Sequence, residues 1–131
     1  MIAFDTNLLV RAAVADDPAQ VAIVRRLLAE QRVFIARTVL LETEWVLRSR
    51  YRCTRDELHA FFAALLAAQD TVIEDAPAVA RALDWYARGA DFADALHLSA
   101  CAGMTMHTFD QAFCAAARAA GVAPDVQVWT A

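Results

Sequence analysis

The chain has 131 residues, of which 16 are acidic and 12 basic, giving a formal net charge of −4. That length fits one domain over residues 1–131, and the acidic balance excludes a broad basic surface for nucleic acid while leaving room for a local basic patch. Every basic residue is Arg, so any mechanism that needs a catalytic lysine is excluded.

The hydrophobic fraction of 60% is inflated by Ala, a helix former before it is a core builder. Enough large apolar residues remain for a core and for an interface. Cys53, Cys101 and Cys114 are far apart and odd in number, with no C-x-x-C spacing. Neither a zinc ribbon nor a disulfide frame is indicated, and a reducing cytoplasm is the expected location. No signal peptide is apparent. The longest apolar run, Ala60 to Ala68, is too short to span a bilayer, so no membrane is expected.

Met1 to Phe4 reads as a strand apolar on both faces, which suits a central parallel strand. Asp5 ends it, and Thr6 or Asn7 is placed to cap a short helix over Leu8 to Val14. Asp16-Asp17-Pro18 breaks the chain and restarts it. From Pro18 to Gln31, Val21, Val24, Leu27 and Leu28 recur at helical spacing. Val33 to Ala36 is a second buried strand, and Thr38 to Tyr51 a long helix. Thr54 and Glu57 form a capping box ahead of an apolar helix over Glu57 to Gln69. Thr71 to Glu74 is a third strand. Ala76 to Arg88 is a helix stopped by Gly89, and Asp91 to Ala102 another, stopped by Gly103. Met104 to His107 is a fourth strand, Asp110 to Ala120 a helix, and Val126 to Trp129 a short last strand.

Strands alternating with helices or helix pairs imply an α/β fold, with a parallel sheet of about five strands and helices on both faces. In such a sheet every strand runs the same way, so its carboxyl edge gathers the residues that follow the strands. Asp5 ends strand one, and Glu42 lies one turn into the helix after strand two. Asp91 and Asp94 open a later helix, and Asp110 follows strand four. Carboxylates sharing one crevice repel and need protons or a cation. An oxygen-only donor set suits hard ions such as Mg²⁺ or Mn²⁺. Each acid also has a structural reading. Asp5, Asp91, Asp94 and Asp110 all stand where acids cap helices in any protein. Glu42 is harder to explain that way, because it sits among Val39, Leu40, Leu41, Trp45 and Val46. Glu44 is expected to be solvated or paired with Arg48 four residues on.

At these residues the chain resembles a PIN domain, and within that family the VapC-type ribonuclease toxins of toxin–antitoxin pairs. The matching pieces are Phe4-Asp5-Thr6-Asn7, Val39-Leu40-Leu41-Glu42, Asp91-Phe92-Ala93-Asp94-Ala95-Leu96 and Thr108-Phe109-Asp110, in that order across nearly the whole chain. The resemblance implies a three-layer α/β/α fold with strand order 3-2-1-4-5. It implies a catalytic set of Asp5, Glu42, Asp94 and Asp110 around Mg²⁺ or Mn²⁺, with Asp91 as a fifth metal ligand. Thr6 and Asn7 would support the first acid, and Thr108 would sit near the cleft. Ala36 departs from the family, where a polar residue often stands near that position. The activity implied is a metal-dependent endoribonuclease that cuts structured cellular RNA, tRNA or rRNA. The partners implied are a homodimer mate and a co-encoded antitoxin that blocks the acidic cleft.

Arg48, Arg50 and Arg52, with Arg55 beyond, form the one basic stretch. It reads either as an RNA-backbone contact or as a solvated helix end. His97 lies one turn after Asp94 and reads either as a proton shuttle or as a partly buried structural histidine. His59 and His107 lack spaced partners for zinc. Trp45, Phe61, Phe62, Trp85 and Tyr86 fall at helical spacing and read as core or subunit contacts. Two rival functions remain. One is a non-catalytic binding module on the same fold, and the other a receiver-like phosphoryl acceptor, which the missing lysine disfavours.

Overall fold

The computed structural model describes residues 1–121 and 123–131, and the chain divides into two compact units, Met1–Ala76 and Pro77–Ala131. In the first unit, strands β1 (Ile2–Ala3), β2 (Val33–Ile35) and β3 (Thr71–Ile73) pair in parallel in the order β1-β2-β3. The register sets Ile2 opposite Val33, and Ile35 opposite Ile73. Val33 and Ile35, on one face of β2, are wholly buried, and Phe34 on the other face is half-buried.

Four helices cover this sheet: α1 (Thr6–Ala13), α2 (Pro18–Glu30), α3 (Arg37–Ser49) and α4 (Arg55–Ala67). Asp17 caps α2 with Pro18 in the first turn, and Thr54 with Glu57 closes the expected capping box on α4. Helix α3 buries Leu40, Thr43, Glu44 and Leu47, an i, i+3, i+4, i+7 stripe. Glu44 is therefore a core residue, 3% exposed, and the solvated alternative for it is wrong. Its charge is tolerated because Arg48 Nε donates to Glu44 Oε2 at 2.9 Å. In the last turn of α1, Arg11 pairs with Asp16 and donates to Gln20 and to the Tyr51 hydroxyl, joining α1 to α2 and to the turns beside it.

The second unit contains helices α5 (Ala76–Ala87, whose first residue closes the other unit), α6 (Phe92–Ser99) and α7 (Ala115–Ala119). It also contains β4 (Met106–Thr108) and β5 (Val126–Val128), paired in parallel. Its core holds Val79, Leu83, Trp85, Tyr86, Phe92 and Leu98, with Tyr86 and Phe92 meeting edge to face, centroids 5.2 Å apart. Helix α5 ends in a reversal that only a left-handed residue permits. Gly89 takes φ 109°, its N–H bonds the Tyr86 carbonyl, and Ala90 N–H bonds the Trp85 carbonyl at 3.0 Å. This turn delivers Asp91 directly to the start of α6.

The architecture is the expected α/β class. Among the described residues the strands form two parallel ladders, β1-β2-β3 and β4-β5, which agree with the segments 3-2-1 and 4-5 of the expected order. One helix differs from expectation. The run Asp110 to Ala120 is not continuous: turns occupy residues 111–114, Cys114 takes a left-handed φ of 46°, and only Ala115–Ala119 is helical. No helix among the described residues is long and apolar enough to cross a membrane.

Candidate acidic site

In the unit Met1–Ala76, Asp5 itself caps α1. Its Oδ1 accepts from Leu8 N–H at 3.3 Å, so neither Thr6 nor Asn7 is the cap that the sequence suggested. The helix starts two residues earlier than its apolar pattern implied, and Asp is the stronger capping residue. That shift frees Thr6 for another task. Thr6 is nearly buried, and its hydroxyl donates to Glu42 Oε1. Glu42 is itself exposed, on the side of α3 away from the buried stripe, with its carboxylate aimed back at the start of α1. The first acid and the second are thus tied through adjacent residues, Asp5 and Thr6. Asn7 points elsewhere. It lines a groove of about 230 Å³ with Leu8, Arg11, Gln20, Ile23 and Val24, between α1 and α2.

In the unit Pro77–Ala131, three acids act on one another. Asp91 caps α6, its Oδ2 accepting from Asp94 N–H at 3.1 Å. Asp110 closes a tight turn in which Thr108 Oγ1 accepts from Asp110 N–H at 3.0 Å, and Asp110 Oδ1 accepts from Ala112 N–H at 2.9 Å. So Thr108 supports Asp110 by holding its backbone. The Asp94 carboxyl is raised above its ordinary value by burial first, then by the charges of Asp91 and Asp110, with His97 opposing. The same three acids, after burial, push the Cys114 thiol up to about 12. Two groups from different elements therefore sense one pool of negative charge. His97 is exposed rather than partly buried, and acts on Asp94 as a favourable neighbour.

The arginine stretch is divided by the fold. Arg48 is committed to Glu44. Arg50 caps the end of α3, and Arg52 takes a left-handed φ of 54°; both are exposed. Of the helical aromatics, Phe62, Trp85 and Tyr86 are core, whereas Trp45 is 51% exposed.

Mg²⁺ or Mn²⁺ fits these residues by donor chemistry. All the candidate ligands are carboxylates, the donor type hard ions take, and Asp94 carries a charge imbalance that a cation would offset. Among the described residues, no three His, Cys, Asp or Glu side chains are gathered closely enough to chelate an ion as they stand.

The pair His107 and Trp129 was not singled out by sequence reasoning. Trp129 Nε1–H donates to His107 Nδ1 at 2.7 Å across the β4-β5 ladder. A parallel register between two short strands has no local signature, so no signal in the sequence pairs these residues.

The PIN domain family profile matches residues 2–119. The crystal structure of VapC20 from Mycobacterium tuberculosis, a sarcin-ricin loop cleaving toxin, is similar at 26% identity and a TM-score of 0.45, covering 88% of this chain and 95% of that one. No curated protein matches the chain.

Proposed function

Since the chain belongs to the PIN domain family, we propose that it is a metal-dependent endoribonuclease of the VapC toxin type, acting as one domain built from both units. The observation that carries this reading is the PIN domain match over residues 2–119, which spans all the motif acids; among them the Asp94 carboxyl is raised by burial first and then by Asp91 and Asp110. It occurs in a chain whose remaining motif acids, Asp5 and Glu42, are held by dedicated donors. Asp5, Glu42, Asp94 and Asp110, with Asp91 as a fifth, would hold Mg²⁺ or Mn²⁺. When bound, such an ion supplies a Lewis acid that activates water and neutralises phosphoryl charge. The chain's own residues then divide the work. Thr6 orients Glu42 through its hydroxyl. Asp91 and Thr108 fix the backbone at Asp94 and Asp110. One of these carboxylates would take a proton from the attacking water.

The substrate class proposed is structured cellular RNA, tRNA or rRNA, with Arg50 and Arg52 offered to the phosphate backbone. Arg48 drops out of that set because it serves Glu44. The partners proposed are a second copy of the chain and an antitoxin that seats an Arg or Lys against the acids through charge-assisted hydrogen bonds. The groove bordered by Asn7 and the half-exposed Ile23 is a candidate seat for the antitoxin's apolar residues. The test is cleavage of total RNA by the purified chain. Chelation of divalent ions abolishes cleavage, and Mg²⁺ or Mn²⁺ restores it. Full cleavage in excess chelator would sink the reading. The rival binding-module reading predicts RNA or protein binding with no cleavage under any metal.

A further inference from the structure

The end of the β4-β5 ladder carries an aromatic surface that the acidic site does not use. Trp129 Nε1–H donates to His107 Nδ1 at 2.7 Å, and the two ring planes lie within 16° with centroids 5.9 Å apart. An N–H···N bond of this length needs the hydrogen and the lone pair to lie in their ring planes. The rings are therefore side by side, edge to edge, and form one nearly flat plate rather than a face-to-face stack. Trp129 is 51% exposed and His107 is exposed, so the plate meets solvent. The Trp129 N–H also bonds the Thr108 carbonyl at 2.8 Å, which locks the plate to the strand end. The next residue, Phe109, is 76% exposed. Both its neighbours are held in the Thr108–Asp110 turn, so its ring projects from a fixed backbone.

We propose that Phe109 and the His107–Trp129 plate form a stacking platform for unpaired nucleobases of the RNA substrate, immediately beside Asp110. The proposal rests on the ribonuclease reading and deepens it. Charge favours a nucleobase as the occupant. The Asp91, Asp94 and Asp110 acids repel any phosphate that a bound cation does not neutralise, and this unit has only three arginines, one of which, Arg118, is bonded to the Gln111 carbonyl. Stacking holds a nucleotide without needing positive charge, and it tolerates any base because every base has a π-face. A position next to Asp110 would place an unpaired base beside the phosphate to be cut. That matches the general rule that RNA is read at unstacked loop bases resting on aromatic side chains.

The test uses the full chain and a short labelled oligouridylate, with divalent ions chelated so that nothing is cut. Binding is followed by anisotropy, and cleavage is measured separately with metal restored. Phe109→Ala and Trp129→Ala each weaken binding by roughly 10- to 100-fold. Phe109→Tyr restores it, and KM for cleavage rises more than kcat falls. Exposure of these side chains keeps the fold intact, which circular dichroism checks. Unchanged oligouridylate affinity in both alanine variants, with wild-type cleavage present, overturns the platform alone. Aromatic-dependent binding by a wild-type chain that never cleaves supports the platform and overturns the ribonuclease reading. A change of oligomeric state on light scattering, with RNA affinity unchanged, overturns the platform in favour of a protein interface.

Discussion

The two units hold carboxylates by the same kind of hydrogen bond and differ in what else surrounds them. In Met1–Ala76, the candidate acids meet neutral donors: Asp5 receives the Leu8 N–H, and Glu42 receives the Thr6 hydroxyl. In Pro77–Ala131, Asp91 and Asp110 likewise receive backbone N–H groups, from Asp94 and Ala112, but acids also meet acids, and Asp94 is raised by burial first and then by Asp91 and Asp110. Hydrogen bonds from neutral donors fix a carboxylate's direction at little electrostatic cost. Like charges leave an imbalance that only a proton or a cation relieves. The difference is that hydrogen bonds orient the candidate acids in both units, while in the second the acids also crowd one another, a repulsion that the proposed cation would relieve.

Asp94→Asn should break the second half of this comparison, with the largest effect. Cleavage should fall by roughly two orders of magnitude or more, since a ligand is lost and not merely its support. Without metal, the same change should raise the melting temperature near neutral pH. The sign follows from linkage. Asp94 holds its proton more tightly when folded, so the unfolded chain binds fewer protons between the two values. Stability therefore falls as pH rises through the window above the ordinary Asp value, and an amide removes that loss. The gain should vanish in acid, which a melting series across pH would show.

Glu42→Gln comes next. Cleavage and Mn²⁺ affinity should both drop by roughly 10- to 100-fold, with the melting temperature unchanged, because Glu42 is exposed. A variant with full metal affinity would return Glu42 to a surface role. Thr6→Val sharpens the orienting half. It removes the hydroxyl that donates to Glu42 and should cost about 10-fold in rate, as lost outer-shell support typically does, while Thr6→Ser should keep most activity. Equal rates for the two variants would show that the hydroxyl does not position Glu42. The smallest effect belongs to a control far from either acid group. Thr54→Ala breaks the capping box with Glu57 and should cost about 1 kcal/mol of stability, with cleavage per folded molecule unchanged. Denaturant melts measure the first quantity and initial rates the second.

Much of this was legible in the residues themselves. Helical spacing and the Thr54–Glu57 and Pro18 signals located most elements to within a residue or two. Asp5, Asp91, Asp94 and Asp110 stood out because each followed a strand or opened a helix, and Glu42 because it stood among apolar residues. What failed had specific physical causes. Helix α7 starts late because Cys114 adopts a left-handed conformation that no Gly or Asn announces. Asp5 rather than Thr6 caps α1, since Asp5, Thr6 and Asn7 are all capping types in a row and the apolar pattern starts only at Leu8. For Glu44 the pairing with Arg48 held and the solvated alternative failed, because apolar residues flank both acids of α3. The buried stripe includes Thr43 and Glu44, and only tertiary packing decides which face that is. The His107–Trp129 plate depends on register between distant strands, which local pattern does not encode.

The central claim is that acids from both units serve the same cation. Calorimetric titration of Mn²⁺ into the wild-type chain, Glu42→Gln and Asp94→Asn tests it most directly. The account predicts one class of site that both substitutions weaken, although one residue lies in each unit. Wild-type affinity in Glu42→Gln, with binding lost only in Asp94→Asn, would contradict it and confine the metal to the acids of Pro77–Ala131.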